Sequence, residues 1–210
     1  MTTSGRVVRP GTLLVATGGL LDPTFRRTVV LMLAHGEDGS LGVILNRRSE
    51  TAVQQVLPGW QRVVSRPRAM YFGGPVEPGS ALCVGVRRAG TSLGDPDDPV
   101  ARVAGEVDAL LDPVAPPLAR VSGELVLVDL DADPIEVMPQ LRGLRIFAGH
   151  AGWEPGQLEL ELAENSWHIV DSTGDDVLSS GSDDLYFSVL RRQRMPLALA
   201  AYTPLDPTLN

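Results

Sequence analysis

Short β-branched and aliphatic runs, each closed off by Gly, Pro, Asn or Asp, recur along this 210-residue chain and leave little room for long helices. Thr12 to Thr17, Thr28 to Leu33, Leu41 to Asn46, Ala69 to Phe72, Ala81 to Val86, Glu124 to Asp129 and Leu144 to Ala148 read as strands. Between the second and third lies HGEDGS, a polar, glycine-containing connection of the length that joins antiparallel neighbours, so Thr28 to Asn46 is expected to form a β-hairpin. Helix signals are fewer. Thr51 to Leu57, Gly105 to Leu111, Pro134 to Leu141, Gly156 to Glu164 and Asp183 to Gln193 carry an apolar stripe at three-or-four spacing or a start signal. Ser182 or Asp183 can cap the last of these, Arg191, Arg192 and Arg194 suit its negative end, and Pro196 stops it. Strands mixed irregularly with helices point to an α+β fold, not to two βαβ units. The expectation is one domain over residues 1–210, with a mixed, mostly antiparallel sheet wrapped by short helices and able to curl towards a barrel. AGTSLGDPDDPVAR, residues 89–102, reads as a mobile loop inserted in that domain.

Composition narrows the function classes. The chain is 43% hydrophobic and 21% charged, as expected of a domain that folds unaided. Its N-terminal apolar stretch and every later one fall short of the roughly 20 residues needed to span a bilayer, so no membrane partner is expected. One cysteine, Cys83, rules out an intramolecular disulfide framework and, with no secretory segment, places the chain in a reducing cytoplasm. The net charge of −8 disfavours delocalised attraction to nucleic acid. All 18 basic residues are Arg, and they are unevenly placed: residues 1–90 carry eleven Arg against five acids, and residues 91–210 seven Arg against twenty-one acids. Halves of opposite sign attract when packed together; the other reading is a basic face kept for an anionic partner.

No phosphate loop, zinc spacing or nucleophile elbow is evident, and the candidate residues are correspondingly scattered. Asp22, Arg26 and Arg27 lie in one turn with Phe25; paired guanidiniums there suit a phosphate or carboxylate, whereas structurally Asp22 would cap the Asp-Pro turn and Phe25 would plug the core. Asn46, followed by two Arg, either lines a pocket or makes a turn. Gly73 and Gly74 offer a backbone nest for an anion or a tight bend before Pro75. His35, His150 and His168 lack the spacing of a helical metal pair, so no metal is expected, and Cys83 sits in an apolar run as a small hydrophobe would. Trp153 and Trp167 flank a helix on which Leu158 and Leu162 face the core, with Glu159, Glu161 and Glu164 pointing mainly outward and Gln157 a candidate acceptor for an indole N–H. Alternatively Trp153 and His150 form the mouth of a partner surface.

Three blocks give the chain a family likeness: GTLLVATGGLLDPTFRRTVVLMLAHGEDGSLGVILNR (residues 11–47), YFGGPV (71–76) and GHAGWEPGQLELELAENSWHIV (149–170), with PLDPTLN at the end. Together and in this order they resemble the AlgH/YqgE family of small bacterial cytoplasmic proteins. Two departures stand out: Gly18 or Gly19 where the family usually has Pro, and His150 where it usually has Tyr. The resemblance implies an α+β fold with a mixed sheet, no established cofactor, no established catalytic residue, and an association with transcriptional control that needs no DNA-reading motif. The expected function is that of a cytoplasmic regulatory or binding protein acting through a protein partner or small anionic ligand and affecting transcription indirectly. The alternative is a hydrolase or transferase on a phosphorylated or carboxylate substrate, with Arg26, Arg27 and Asn46 holding the anion and His35 or His150 moving a proton.

Overall fold

Alternation of side chains along the apolar runs dictates a sheet covered on both faces. The computed structural model describes residues 6–91, 117–180 and 184–202. Its strands are β1 Thr12–Ala16, β2 Val29–Gly36, β3 Gly39–Ile44, β4 Arg48–Ala52, β5 Ala69–Phe72, β6 Val76–Arg87, β7 Leu118–Ser122, β8 Leu125–Val128, β9 Leu141–Trp153 and β10 Trp167–Asp171. The helices are α1 Val53–Val56, α2 Pro134–Val137, α3 Gln157–Ala163, α4 Gly174–Leu178 and α5 Asp184–Arg191. The strands form one curled, half-barrel sheet in the order β10-β1-β2-β3-β9-β6-β8-β7, with β4 and β5 branching from β9. Among the described residues every pairing is antiparallel except β5 with β9. The fold is the expected single-domain α+β one, and the expected hairpin is β2–β3, closed by the pair Gly36 and Gly39.

Odd and even positions of the central strands go to different cores. Leu13 and Val15 of β1 and Leu31 and Leu33 of β2 face a core completed by Leu185, Tyr186, Val189 and Leu190 of α5. Leu14, Val30 and Met32 face the opposite way, onto Trp153, Trp167 and Leu158. A third core lies under α1 and α2, where Leu144 and Ile146 of β9 meet Val53, Trp60, Val137 and Cys83. Burial on both faces explains why β1 to β3 read as continuous apolar runs without a polar stripe. Cys83 is 2% exposed, and burial pushes its thiol far up from the ordinary value.

Several boundaries differ from the expectation. Thr51 and Ala52 belong to β4, so the helix expected from Thr51 is reduced to one turn. The helix expected over Pro134 to Leu141 gives way after Val137 to a 3-10 turn, Met138–Gln140, because Pro139 has no N–H to continue the ladder. The strand expected over Leu144 to Ala148 is thirteen residues long, and β4, β7 and β10 were not expected as strands. The helix Gly105 to Leu111, the cap at Ser182 or Asp183, the terminal PLDPTLN and the loop beyond residue 91 lie outside the described residues.

The long β9 changes partners midway. Phe147 and Ala148 pair with β5 on one side and β6 on the other, whereas Ala151 to Trp153 pair with β3. At the change the backbones of residues 73–74 and 149–150 cross in contact. A Cβ on Gly73 would lie 2.2 Å from the Gly149 carbonyl oxygen, and one on Gly74 2.2 Å from the His150 carbonyl. Gly149 also sits at φ +66°, in the left-handed region. The Gly73 N–H donates to the Ala148 carbonyl at 2.8 Å, and its own carbonyl accepts from Ile44 N–H at 2.8 Å. The glycine pair is therefore a three-strand junction as well as a bend.

Gly74→Ala should destabilise the fold by about 3 kcal/mol or more, since the clash is with backbone that cannot rotate away. Gly18→Ala, which would meet nothing within 4 Å, should change stability by no more than about 0.5 kcal/mol. Urea unfolding midpoints of the two variants distinguish these outcomes.

Candidate functional site

The turn before β2 is built as a structural clamp. Asp22 Oδ1 accepts from the N–H groups of Thr24 (2.8 Å) and Phe25 (3.1 Å), which fixes the Asp-Pro turn. Phe25 packs on Trp153 and Trp167, with ring centroids 6.2 and 5.8 Å away. Arg27 follows with φ 57°, and buried Asn46 clamps it: Asn46 Nδ2 donates to the Arg27 carbonyl at 2.8 Å while Oδ1 accepts from Val29 N–H at 2.9 Å. Both ends of the Asn46 amide are thus engaged, and the left-handed residue is Arg27, not Asn46. The Arg27 guanidinium lies 5.6 Å from the centroid of the Phe187 ring on α5, whereas Arg26 is exposed. The two arginines point to different surroundings.

His35 lies towards the far end of β2 from this pair, six residues along the strand from Val29, or roughly 20 Å at 3.3 Å per residue, with Arg27 in the turn before it. Its Nδ1 hydrogen-bonds Ser40 Oγ at 2.8 Å across the hairpin, and its Nε2 is 3.7 Å from Glu159 Oε1 on α3. His35 and the arginine pair therefore do not share a pocket. His150 and Trp153, the expected partner surface, are 7% and 5% exposed. Trp153 is inside because Phe25, Trp167 and Leu158 pack over that face of the sheet. Burial holds the pKa of His150 below the ordinary histidine value, with Glu77 pulling the other way, and burial alone does the same at His168.

Three polar centres were not foreseen. Glu161 does not point outward: its Oε2 accepts from both indole N–H groups, Trp153 at 3.0 Å and Trp167 at 2.7 Å, and Gln157 donates to its Oε1 at 2.9 Å. Glu161 follows Leu158 by three, so it shares the buried face of α3. Arg145, 1% exposed, donates through Nε to the Val177 carbonyl (2.7 Å), through Nη1 to Tyr71 Oη (2.6 Å) and through Nη2 to the carbonyls of Leu178 (2.8 Å) and Arg66 (3.1 Å). Tyr71 Oη in turn donates to the Ser180 carbonyl at 2.9 Å. Burial lowers the Arg145 pKa and raises that of Tyr71, each partly offset by the other. Asp176 caps α4 through the Thr173 N–H and takes both Nη atoms of Arg192 at 2.5 and 2.7 Å. The signal for Arg145 was present in the sequence: it lies two residues before Phe147, on a side of an apolar strand that alternation turns inward.

A cleft of about 350 Å³ opens beside β1 and α4, lined by Arg9, Thr12, Glu124, Asp171 and Thr173. Its charges are internally engaged: Arg9 is 3.7 Å from Asp171, and Glu124 accepts from Gly174 N–H. Among the described residues no group of three or more His, Cys, Asp or Glu is arranged to hold a metal ion. Among the described residues no helix is long and apolar enough to cross a membrane.

The exposed charge is better organised than any pocket. Over residues 47–72 there are five Arg and one acid, Glu50. Arg48, Arg62, Arg66 and Arg68 are exposed, as is Arg26. In the β4–β5 pair Arg48 lies opposite Tyr71 and Ala52 opposite Ala69, so Arg48 and the segment 66–68 stand at the two ends of the pair. Phe72 and Val76, on strands that pair with opposite sides of β9, are 36% and 39% exposed.

The family described as AlgH-like matches residues 13–198. A UPF0301 protein of Rhodococcus erythropolis is 46% identical over 203 residues, covering 97% of this chain and 92% of the relative; one of Mycolicibacterium smegmatis gives the same three percentages. A crystal structure of a Corynebacterium diphtheriae protein superposes with a TM-score of 0.81 at 37% identity, covering 94% of each chain. The solution structure of the AlgH protein from Pseudomonas aeruginosa shares the fold, with a TM-score of 0.62 at 22% identity over 97% of this chain and 98% of that one.

Glu161→Ala leaves two indole N–H groups without their acceptor and should cost about 2 to 4 kcal/mol in urea unfolding, with Glu161→Gln costing less than half as much. His150 and His168 give a pH dependence. Their folded pKa values lie below the roughly 6.5 of the unfolded chain, so the unfolded state binds more protons just below that pH. Their contribution to stability is present above about pH 6.5 and is lost as the pH falls through the window beneath it. The calorimetric midpoint should drop between pH 7.5 and 5.5, and His168→Gln should flatten the drop.

Proposed function

The chain belongs to the AlgH-like family, and we propose that it acts in the cytoplasm as a regulatory binding protein, engaging a protein partner or small anion and affecting transcription only through that contact. The observation that carries this reading is the exposure of Arg26, Arg48, Arg62, Arg66 and Arg68 on a chain whose net charge is −8. If internal complementarity were the whole use of the basic half, these side chains would lie against acids. Instead they face solvent, and among the described residues the ion pairs use Arg6, Arg9, Arg142 and Arg192. An anionic ligand gains from such a surface without the delocalised stripe that DNA requires.

Against the catalytic alternative, in which Arg26, Arg27 and Asn46 hold an anion and His35 or His150 moves a proton, stand the separation of His35 from the arginines along β2 and the burial of His150. Asn46, Gly73 and Asp22 already have intramolecular roles.

Arg48→Glu/Arg68→Glu should leave the unfolding midpoint within about 0.5 kcal/mol of wild type, as surface changes do, while abolishing capture of the partner that wild type retains from its native cytoplasm at low salt. Quantitative comparison of the two captures checks this. Equal recovery by both proteins, or turnover of a metabolite by wild type that a single cleft substitution removes, would overturn the reading.

A further inference from the structure

The curled sheet comes round on itself where the start of β1 meets the turn between β7 and β8. A Cβ on Gly11 would lie 2.3 Å from the Ser122 Cβ, so the two segments touch there. Ser172 Oγ donates to the Gly11 carbonyl, and Glu124 Oε1 accepts from Gly174 N–H at 2.9 Å, which ties the loop between β10 and α4 to both segments. The cleft of about 350 Å³ lies along this seam, with its lining drawn from within residues 9–12, 122–125 and 171–174. Its walls are joined by contacts already made, so the hollow is preformed, and its size suits a small molecule.

The charged residues that line the cleft, Arg9, Asp171 and Glu124, are all exposed. Asp171 is shared by two guanidiniums, Arg6 at 3.4 Å and Arg9 at 3.7 Å, and among the described residues no hydrogen bond completes either pair. Arg9 itself hydrogen-bonds only through its backbone, to Thr12. This group therefore carries one surplus positive charge with open donors. Arg142 is shared in turn by two carboxylates, Asp175 at 2.6 Å and Glu124 at 3.8 Å. Its hydrogen bond goes to Asp175, so Glu124 Oε2 keeps its acceptor capacity and this second group carries one surplus negative charge. The neighbouring Arg192 and Asp176 neutralise each other. The ion pairs hold the lining in place without using up Arg9 or Glu124, and one cleft presents both signs.

We propose that this seam cleft binds a small zwitterion, an α-amino acid with an uncharged side chain. Its carboxylate pairs with Arg9 and its ammonium with Glu124, and charge-assisted hydrogen bonds of both signs fix its orientation. The Ser122 hydroxyl, which has no hydrogen bond among the described residues, adds a further donor and acceptor to the lining. A simple anion would use the first charged group alone and a simple cation the second alone. A charged side chain would find no third group of opposite sign in the lining. The site is separate from the exposed arginines on which the binding reading above rests.

The test is backbone amide chemical-shift mapping of the full-length isotope-labelled protein with four probes. They are an equimolar mixture of alanine, serine, leucine and glutamine, the same four as N-acetyl derivatives, the same four as methyl esters, and inorganic phosphate. The free amino acids should shift the amides of Gly11, Thr12 and residues 122–125 and 171–174 at concentrations where the other three probes do not. Arg9→Gln and Glu124→Gln should each weaken that response by about tenfold; the second keeps an oxygen to accept from Gly174 N–H, and unfolding midpoints confirm that both variants fold. An equal response to the N-acetyl derivatives or to phosphate would make this an anion site and overturn the proposal, as an equal response to the esters would by making it a cation site. No response in these three segments, or one that both variants retain in full, would overturn it as well. None of these failures involves Arg48 or Arg68, so the capture experiment above decides the binding reading independently.

Discussion

Contact between two backbones, where residues 73–74 cross residues 149–150, is the constraint from which the sheet geometry follows. A thirteen-residue strand cannot keep one set of neighbours around a curled sheet, because twist accumulates along its length. Here β9 leaves β5 near Ala148 and joins β3 at Ala151, and the exchange happens within three residues. It is possible only because residues 73, 74 and 149 carry no Cβ at the crossing. The sheet folds round this point, so the α5 core and the tryptophan core come to lie on opposite faces of the same strands.

Away from the crossing, buried polar groups hold peripheral pieces to the sheet. Arg145 gathers the segment at Arg66, the end of α4 and the phenol of β5 around one guanidinium, with the Tyr71 ring 4.5 Å from its centre. The acceptors are carbonyls and a phenol, so their orientation matters more than opposing charge, and a planar fork of fixed donors suits them better than an ammonium would. Glu161 does the same for α3 and β10 by collecting two indoles. Truncating either hub would strand several buried partners at once, which is costlier than losing one hydrogen bond.

Much of the fold was legible because apolar runs and turn residues act locally: Ala69 to Phe72 was bounded correctly, and the hairpin turn was visible in HGEDGS. The misses share a cause. Arg48 to Ala52 carries two charges and reads as polar, and it is a strand only because β5 presents an edge to it. β10 begins with Trp167 and His168 after a helix, and it is defined by pairing with β1, 151 positions earlier where Trp167 meets Ala16. At the candidate sites, residue type was a fair guide to polarity but not to use. Asp22 was legible as a cap because its targets are two and three residues away. Asn46 was not legible as a clamp, since its target is Arg27 across the hairpin. The exposure of Arg48, Arg66 and Arg68 needed the tertiary structure, which decides whether a cation meets an acid or water.

The lone thiol of Cys83 lies mid-strand on β6, opposite Ile146 of β9 and sealed under the helices of the third core. Thiolate chemistry there is suppressed twice over, by lack of access and by the difficulty of ionising in an apolar enclosure. The thiol is consequently indifferent to oxidant and alkylator for as long as the longest strand pair stays closed. Its sulfur becomes a clock for the separation of β6 from β9, started by the protein's own breathing and read without introducing any label into the chain.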